Sequence, residues 1–282
     1  MKTQTVRNET ELQIPGITLM GYYSSQTANN PLALHVHEDC IEITFVVKGN
    51  IKFTTAEAEN VFSLYGGDTF ITPANLPHGT GNNPVGICEL YWVQLNIADN
   101  PFLFLGETWA KELKNGLAAQ KTRLLRQGVS TRSEPEQMFK YITSKDEHRR
   151  FQGISSLIQM LHEIIDTPVE TSEDFFYDIH SVTNWIFEHI NEDIRLEDLA
   201  GAANMSLSHF KQKFYKNTGM SPRAFINMQK IEHAKELLLS GMPVNKVSDQ
   251  LGFNSNNYFS TVFKKYTTMT PSDFQVNGSA KT

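Results

Sequence analysis

The sequence predicts an α+β chain in which an antiparallel β-barrel is followed by a helical connector and an all-α domain with two helix-turn-helix units. Short β-rich runs occupy about 14–100, helical periodicity begins near 107, and one helix-turn-helix pattern occurs twice near the end. A length of 282 residues suits two domains with separate cores. We expect the barrel at 1–104, the connector and linker at 105–174, and the helical domain at 175–282.

The charge is distributed unevenly between the two halves of the chain. The formal net charge is −6, which by itself argues against a nucleic-acid partner. Residues 1–174 carry 14 basic and 21 acidic side chains, whereas residues 175–282 carry 11 and 10. Because the sign of a local surface matters more than the total, the helical half remains compatible with DNA binding.

Cellular location follows from the N-terminus, the hydropathy pattern and the cysteines. The first 13 residues are polar and lack the apolar stretch of a signal peptide. No run approaches the ~18 apolar residues of a membrane span. Cys40 and Cys88 lie in apolar, strand-like runs without a spacing pattern, which is typical of buried free thiols in a reducing compartment. We expect a cytoplasmic protein with no membrane partner.

The front half contains β-rich runs at 41–49, 51–55, 68–73 and 88–96, separated by Gly-, Asn- and Pro-containing turns. Strands at this spacing, with no helical pattern between them, indicate an antiparallel barrel or sandwich.

The connector contains an apolar stripe at helical spacing, made by Ile154, Leu157, Ile158, Leu161 and Ile165. We expect this stripe to pair with a second protomer and so to form a homodimer. The polar, proline-containing segment 167–174 is the best candidate for a linker.

The C-terminal part contains a diverged internal repeat. LAGAANMS at 199–206 aligns with VSDQLGFN at 247–254 at an offset of 48, and the following phenylalanines and prolines align at an offset of 49. Asn204 and Gly252 fall in the turns, where a left-handed backbone is needed. Ser206 and Asn254 are expected to cap the second helix of each unit. Pairs of phenylalanines four residues apart dock these helices: Phe210 with Phe214, and Phe259 with Phe263.

Docking leaves the opposite face of each second helix to solvent, and these faces carry short polar and basic side chains. Such side chains can contact base edges or phosphates in a major groove, although one such face alone is equally compatible with an ordinary solvated helix. The base-contact candidates are Ser208, His209, Lys211, Gln212, Asn256, Asn257, Ser260 and Thr261. The phosphate-contact candidates are Lys216, Arg223, Lys264 and Lys265, with Lys211 as a further candidate.

The stretch from about 180 to 275 resembles the DNA-binding domain of the AraC/XylS regulators. The motifs that carry the resemblance are GMSP, LGF, YFSTVFKK and TPSDF. It implies that the candidates above lie on the two recognition helices of the family. The sequence departs from the family pattern at Lys230 and Gln275, where arginine is usual, at Thr268, where glycine is usual, and at Thr261, often arginine. The change at Thr261 predicts weaker or more polar readout by the second unit.

The front half carries a histidine pattern that resembles the cupin double motif. HVHEDCIE supplies His35, His37 and Glu42, and the later run GDTFITPANLPHGTGN supplies His78. In a strand, side chains two residues apart share a face, so His35 and His37 can point together into the barrel. Two departures from the cupin pattern are asparagines at 29 and 75 in place of glycines.

Three alternatives remain open for these side chains: a divalent metal site for Fe, Mn, Ni or Zn, contacts to a polar effector, or a structural role. Trp92 shares a strand face with Leu90 and Gln94 and is a candidate to stack on a sugar ring, although a strand tryptophan is more often plain core. The family resemblance implies an effector site here, with a sugar as the leading expectation.

These patterns together predict a sequence-specific DNA-binding transcription regulator rather than an enzyme. Its expected partners are double-stranded promoter DNA, a small polar effector, a second copy of the chain and, if it is an activator as the resemblance favours, RNA polymerase. The alternative is a metal-dependent cupin enzyme, a dioxygenase or isomerase, with a helical appendage. It explains the histidines but leaves the repeated helix-turn-helix without a purpose. A third alternative, a pure protein-interaction module, would require large exposed apolar patches, whereas the predicted DNA-contact faces are polar.

Overall fold

The protein is described here from a computed structural model that covers residues 2–56, 61–121, 123–126, 134–167, 182, 185–186 and 188–279. Its backbone separates into two compact units. The barrel unit comprises 1–26 and 31–171, and the helical unit comprises 27–30 and 172–282. The helices expected to form a separate connector therefore belong to the barrel unit. The expected linker lies outside the described residues, except for Thr167.

The barrel unit is built on an antiparallel sheet with the strand order β1-β2-β7-β3-β5-β8, in which β4 and β6 also pair with β3. Its described strands are β1 (Lys2–Asn8), β2 (Ile17–Ser25), β3 (Cys40–Thr55), β4 (Phe62–Tyr65), β5 (Asp68–Thr72), β6 (His78–Gly79), β7 (Cys88–Asn96) and β8 (Arg123–Arg126). The antiparallel sheet and the helical C-terminal half confirm the predicted fold class. The β-rich runs at 41–49 and 51–55 join into the single strand β3, whereas β1 and β8 were not expected from the sequence.

Alternation along the central strands gives the sheet two buried faces. On one face Met20, Ile43 and Val93 belong to a core shared with the helices. On the other face Tyr23, Phe70 and Leu90 belong to an aromatic-rich cluster inside the barrel. Because both faces are buried, a slip of one residue in register would exchange these two cores, and the register of β3 against β7 is therefore strongly determined.

Four described helices accompany the barrel: α1 (Glu9–Leu12), α2 (Glu107–Ala118), α3 (Glu134–Ile142) and α4 (Glu147–Asp166). Asp146 caps α4 by accepting hydrogen bonds from the backbone N–H groups of His148 and Arg149.

The apolar stripe of α4 faces the core of its own unit. Leu157 and Leu161 are fully buried, and Ile158 and Ile165 pack against the same core. Ile165 also lies against Gly116 of α2, where a side chain would not fit. The expectation that this stripe contacts a second protomer is wrong, because its apolar area is already used in covering the sheet.

The helical unit contains six described helices after residue 195: α5 (Leu196–Ala202), α6 (Leu207–Thr218), α7 (Pro222–Leu239), α8 (Val244–Gln250), α9 (Asn256–Thr267) and α10 (Pro271–Ser279). Helices α5 and α6 form the first helix-turn-helix, and α8 and α9 form the second. The long helix α7 connects them. No helix among the described residues is long and apolar enough to cross a membrane.

The two helix-turn-helix units share their turn geometry at the offset that the sequence predicts. Asn204 and Gly252 are both left-handed, with φ of 52° and 63°. In the first turn the Met205 N–H donates to the Ala200 carbonyl, and in the second the Phe253 N–H donates to the Ser248 carbonyl. These pairs are related by the offset of 48, which confirms the repeat as a structural one.

The one-residue slip of the repeat lies between the turn and the helix cap. Ser206 caps α6 as expected, accepting from the His209 N–H. The cap of α9 is Ser255, which accepts from the Tyr258 N–H, and not the expected Asn254. The sequence-based choice was wrong because an asparagine at the turn looks like a cap, whereas the extra residue of the second turn moves the cap one position onward.

Candidate functional site

The first recognition helix, α6, presents a polar and basic face to solvent. Phe210 and Phe214 are fully buried, and their rings lie 5.7 Å apart. This docking orients the helix so that the other side is open. The exposed candidates are Ser208, His209, Lys211, Gln212 and Lys216.

The second recognition helix, α9, is docked in the same way. Phe259 and Phe263 are fully buried, with ring centroids 5.7 Å apart. Asn256, Asn257, Thr261, Lys264 and Lys265 are exposed, and Ser260 is partly buried.

Tyr258 also lies on this face, although the sequence pattern does not mark it as a contact residue. Its side chain is 42% exposed, and the Asn227 amide of α7 lies 3.4 Å from its hydroxyl. Because an exposed tyrosine hydroxyl can donate to a phosphate oxygen, Tyr258 is a further candidate for contacting DNA. The available sequence signal was its position three residues after the cap Ser255, in the first turn of α9.

A groove of about 660 Å³ lies beside the first recognition helix. Lys211 and Gln212 of α6 line one side, and Arg223 of α7 lines another. Ser221, the cap of α7, also lines it. The groove therefore brings a candidate phosphate contact from α7 together with candidate base contacts from α6.

Lys230 links the second helix-turn-helix to the segment that precedes the first. It is 6% exposed and lies on α7. Its ammonium group donates to the Leu251 carbonyl at the end of α8 (2.6 Å) and to the Glu192 carbonyl before α5 (3.3 Å). Burial lowers the pKa of Lys230. This residue, which the sequence marks only as a departure from arginine, satisfies one backbone carbonyl before α5 and one at the end of α8.

The barrel unit brings together all four side chains of the histidine motif. The potential ligand atoms of His35, His37, Glu42 and His78 lie within 4.8 Å of one another. His35 and His37 come from an extended segment outside the named strands, which is held by paired backbone hydrogen bonds between His35 and His78 of 3.0 and 2.9 Å. Glu42 comes from β3 and His78 from β6. The predicted convergence of these residues is therefore observed.

Backbone carbonyls set the orientation of two imidazoles. His35 Nδ1 lies 3.0 Å from the Ala33 carbonyl oxygen, and His78 Nδ1 lies 3.0 Å from that of Leu76. A carbonyl can only accept, so each Nδ1 carries a proton and the Nε2 atoms are left for the centre of the cluster. His78 Nε2 is buried, and among the described residues it makes no well-aligned hydrogen bond, although a Glu42 oxygen lies 3.4 Å away.

Glu42 supplies the negative charge of the cluster. Its carboxylate oxygens lie 3.2 Å from His37 Nε2 and 3.4 Å from His78 Nε2. Burial by itself raises the pKa of Glu42, but the neighbouring imidazoles of His37 and His78 and the Gln94 amide outweigh it and hold the pKa well below its usual range. Burial lowers the pKa of His78, whereas Glu42 raises it, and the net shift is upward. A buried carboxylate that stays charged beside imidazole nitrogens is a donor set suited to a divalent cation.

Gln94 belongs to the cluster, although in the sequence it stands out only as a neighbour of Trp92 on one strand face. Its Nε2 lies 2.8 Å from His37 Nε2 and 2.9 Å from Glu42 Oε2. The available signal was the strand alternation that places Gln94 on the inner face of β7.

Trp92 lies two residues earlier on β7, opposite Gly21 of β2. Its ring occupies the space that a side chain at 21 would need. The indole is partly buried and packs against the aromatic-rich cluster inside the barrel, which gives it at least a core role.

The departure from the cupin pattern at Asn75 is explained by the backbone. Asn75 has a φ of 65°, the left-handed conformation that glycine would adopt, and asparagine tolerates it better than most residues. Its Oδ1 also accepts from the Asp39 N–H at 3.1 Å. The turn that leads to His78 is therefore retained without glycine.

Comparison with protein families identifies both halves of the chain. A cupin domain model matches residues 28–94, and a helix-turn-helix domain model of the AraC type matches residues 199–277. The chain therefore carries an AraC-type helix-turn-helix domain behind a cupin domain. The cupin match contains the histidine cluster, and the helix-turn-helix match contains α6 through most of α10. The similar proteins below are named as regulators and not as enzymes, in agreement with the expectation of a regulator.

Relatives with similar sequences are also regulators. The chain is 33% identical over 92 residues to the regulatory protein PocR from Salmonella typhimurium, which covers 32% of this chain and 30% of PocR. It is 30% identical over 132 residues to an HTH-type transcriptional regulator from Staphylococcus aureus, covering 46% of this chain and 18% of the relative. The matches thus span less than a third of these relatives. A solved structure, the C-terminal domain of the response regulator AraT from Geobacillus stearothermophilus, is 26% identical and covers 36% of this chain and 85% of that domain, with a TM-score of 0.34.

Proposed function

We propose that this AraC-type regulator binds specific DNA sequences through α6 and α9 and responds to a small polar effector in its barrel. The observation that carries the proposal is the duplicated helix-turn-helix, in which each second helix buries two phenylalanines and exposes a polar, basic face. A helix with these two faces fits a major groove. Two such helices would read successive major grooves ~34 Å apart on one side of the duplex.

Within this proposal the candidates have separate roles. Gln212, Asn256 and Asn257 can make paired hydrogen bonds to adenine, and Ser208, His209, Ser260 and Thr261 can contact base edges singly. Lys211 can meet guanine or phosphate. Lys216, Arg223, Lys264 and Lys265 would contact phosphates and so position the helices without reading sequence. The exposure of most of these side chains supports the assignment.

The test is capture of sheared genomic DNA by the purified full chain at ~150 mM salt, followed by sequencing. Salt at this level suppresses purely electrostatic binding, so enrichment must come from base readout. The proposal expects one motif with two short blocks about ten base pairs apart. Absence of enrichment, both with and without cell extract as a source of effector, would contradict it.

The effector is proposed to bind inside the barrel against His35, His37, Glu42, His78 and Trp92. A sugar is the first class to test, because polar side chains beside an aromatic ring suit its hydroxyl groups and its apolar face. Sugar-induced shifts in melting temperature of the wild type and of Trp92→Leu would test this, with loss of the shift in the variant expected. Such a ligand affects DNA binding only if it has different affinities for two states of the protein.

A divalent cation is proposed as the cofactor of this site. His35, His37, Glu42 and His78 would hold it, and Fe, Mn, Ni and Zn all suit such a donor set. When bound, it would supply a Lewis-acid anchor for an oxygen-bearing effector. Elemental analysis of the purified protein should give about one equivalent, lost in His37→Ala. A metal-free wild type with an intact fold would contradict this part of the proposal.

Dimerisation, activation and location complete the proposal. Two copies would bind paired sites, because dimeric helix-turn-helix regulators commonly bind two DNA half-sites whose arrangement matches the symmetry of the dimer. The contact surface must differ from the buried stripe of α4. An activator would also contact RNA polymerase, and it would act in the cytoplasm, where reducing conditions suit the free Cys40 and Cys88. Sedimentation of the full chain with and without DNA tests the dimer.

A further inference from the structure

Gln94 occupies a defined place in the histidine cluster. It lies directly opposite Glu42 in the antiparallel pairing of β7 with β3, so that the two side chains are neighbours on one face. The side chain is buried, with 7% of the residue exposed. Its position is therefore set by the sheet, and not by a loop.

Both hydrogen bonds of the Gln94 side chain to the cluster are made by its amide nitrogen. Its Nε2 lies 2.8 Å from His37 Nε2 and 2.9 Å from Glu42 Oε2. Glu42 is an acceptor, and His37 Nε2 accepts from the amide in the tautomer that pairs with it. The amide thus directs its N–H groups at His37 and Glu42, which are both candidate ligands of a cation.

The terminal amide can reverse this polarity without changing its shape. A half-turn about the last side-chain torsion exchanges the nitrogen and the oxygen, which have nearly the same size. The oxygen is then an acceptor that suits hard divalent cations such as Mn²⁺.

We propose that Gln94 is a fifth residue of the metal site: its side chain, which bridges His37 and Glu42, turns Oε1 toward a bound cation. This inference rests on the metal part of the proposed function.

Two substitutions separate this role from a purely structural one. Gln94→Met has a similar length but neither donor nor oxygen, so it removes both functions. Gln94→Glu keeps the shape and the oxygen but loses the N–H groups and places a second carboxylate beside Glu42. A structural role predicts that both variants bind a cation poorly, whereas the proposed role predicts opposite effects.

The experiment is titration of the full chain with Mn²⁺ and with Co²⁺ after removal of metals by chelation. Calorimetry gives Kd, the visible absorption of Co²⁺ reports its coordination, and melting curves give the stabilisation by Mn²⁺. Gln229→Met, which replaces a buried glutamine of α7, is the matched control and should bind like the wild type. Circular dichroism verifies the fold of each variant.

We expect Gln94→Met to raise Kd by about 10-fold or more, the size typical of losing a supporting group at a metal site. Its Co²⁺ spectrum should be more intense, as lower coordination numbers give stronger absorption. Gln94→Glu should bind at least as tightly as the wild type, with a lower melting temperature in chelator and a larger rise with Mn²⁺.

Three results would overturn the inference. Tighter or unchanged binding by Gln94→Met would mean that the amide competes with the cation or is irrelevant to it. Binding by Gln94→Glu that is as weak as that of Gln94→Met would leave only the structural role. A wild type that binds neither ion would remove the inference together with the proposed cofactor, while the DNA capture experiment would still decide the regulator function independently.

Discussion

Gly219 and Thr268 occupy the same left-handed position directly after the two recognition helices, with φ of 67° and 72°. Their surroundings also match. Thr218 Oγ1 donates to the Phe214 carbonyl, as Thr267 Oγ1 does to the Phe263 carbonyl, at 2.9 and 2.8 Å. The repeat of the helical unit therefore extends through the end of each recognition helix, and the two copies differ in the residue that adopts the strained conformation.

Thr268→Gly is expected to stabilise the helical unit by about 1 kcal/mol, because a β-branched residue at positive φ is strained and glycine is not. Urea denaturation measures the change. The reciprocal control is Gly219→Ala, which should destabilise the protein by about 1 kcal/mol. Equal stabilities for Thr268→Gly and the wild type would contradict the interpretation of strain.

Ser255→Ala should cost about 1 kcal/mol of unfolding free energy, since it leaves the Tyr258 N–H at the start of α9 without its partner. Asn254→Ala should change stability by no more than about 0.5 kcal/mol. Chemical denaturation of the two variants side by side decides which residue is the cap, and a larger loss for Asn254→Ala would restore the sequence-based choice.

Lys230→Met should lower stability by about 2 kcal/mol, because the Glu192 and Leu251 carbonyls lose a charged donor while the apolar stem is retained. Lys230→Arg should lose less, as a guanidinium can still donate to both carbonyls. Thermal and urea unfolding measure both. If Lys230→Met were as stable as the wild type, the free-energy cost of burying the ammonium group would cancel the stabilisation from its hydrogen bonds.

Gly21→Ala should destabilise the barrel unit by about 1–3 kcal/mol, because its new methyl group overlaps the Trp92 ring. Trp92→Leu in the same chain should remove most of the additional cost. A double-mutant cycle from melting curves measures the coupling, and strictly additive effects would show that the two residues do not contact each other as described.

Gln212→Ala and Asn257→Ala should each relax base preference at one position of the bound motif, at a cost of about 1–3 kcal/mol on the preferred sequence. Lys264→Ala should instead weaken binding to all sequences and reduce the salt dependence by about one counterion. Binding to a randomised site library at two salt concentrations separates these outcomes. If Gln212→Ala weakened binding to all sequences equally, Gln212 would contact phosphates and not a base.

Short-range patterns in the sequence predicted the features that depend on residues close together in the chain. The left-handed turns at Asn204 and Gly252 follow from short-range sterics, and the buried phenylalanine pairs of α6 and α9 follow from helical periodicity. The convergence of His35 and His37 follows from alternation along an extended segment. These features could be predicted because each depends on residues a few positions apart.

Other features depended on contacts between distant parts of the chain. The stripe of α4 has the same periodicity whether it faces the sheet or a second protomer, and only packing against the barrel core shows which. Strand β1 carries almost no apolar signal and is held by its pairing with β2.

The sequence by itself determined the two classes of domain, the duplicated helix-turn-helix and the four side chains of the histidine cluster. The tertiary structure decided that Gln94 joins that cluster and that Lys230 bridges the end of α8 and the segment before α5. The physical reason is that strand register and helix docking place residues together that are distant in the chain, as with Gln94 and Glu42, which lie 52 positions apart, and no local periodicity encodes such a pairing.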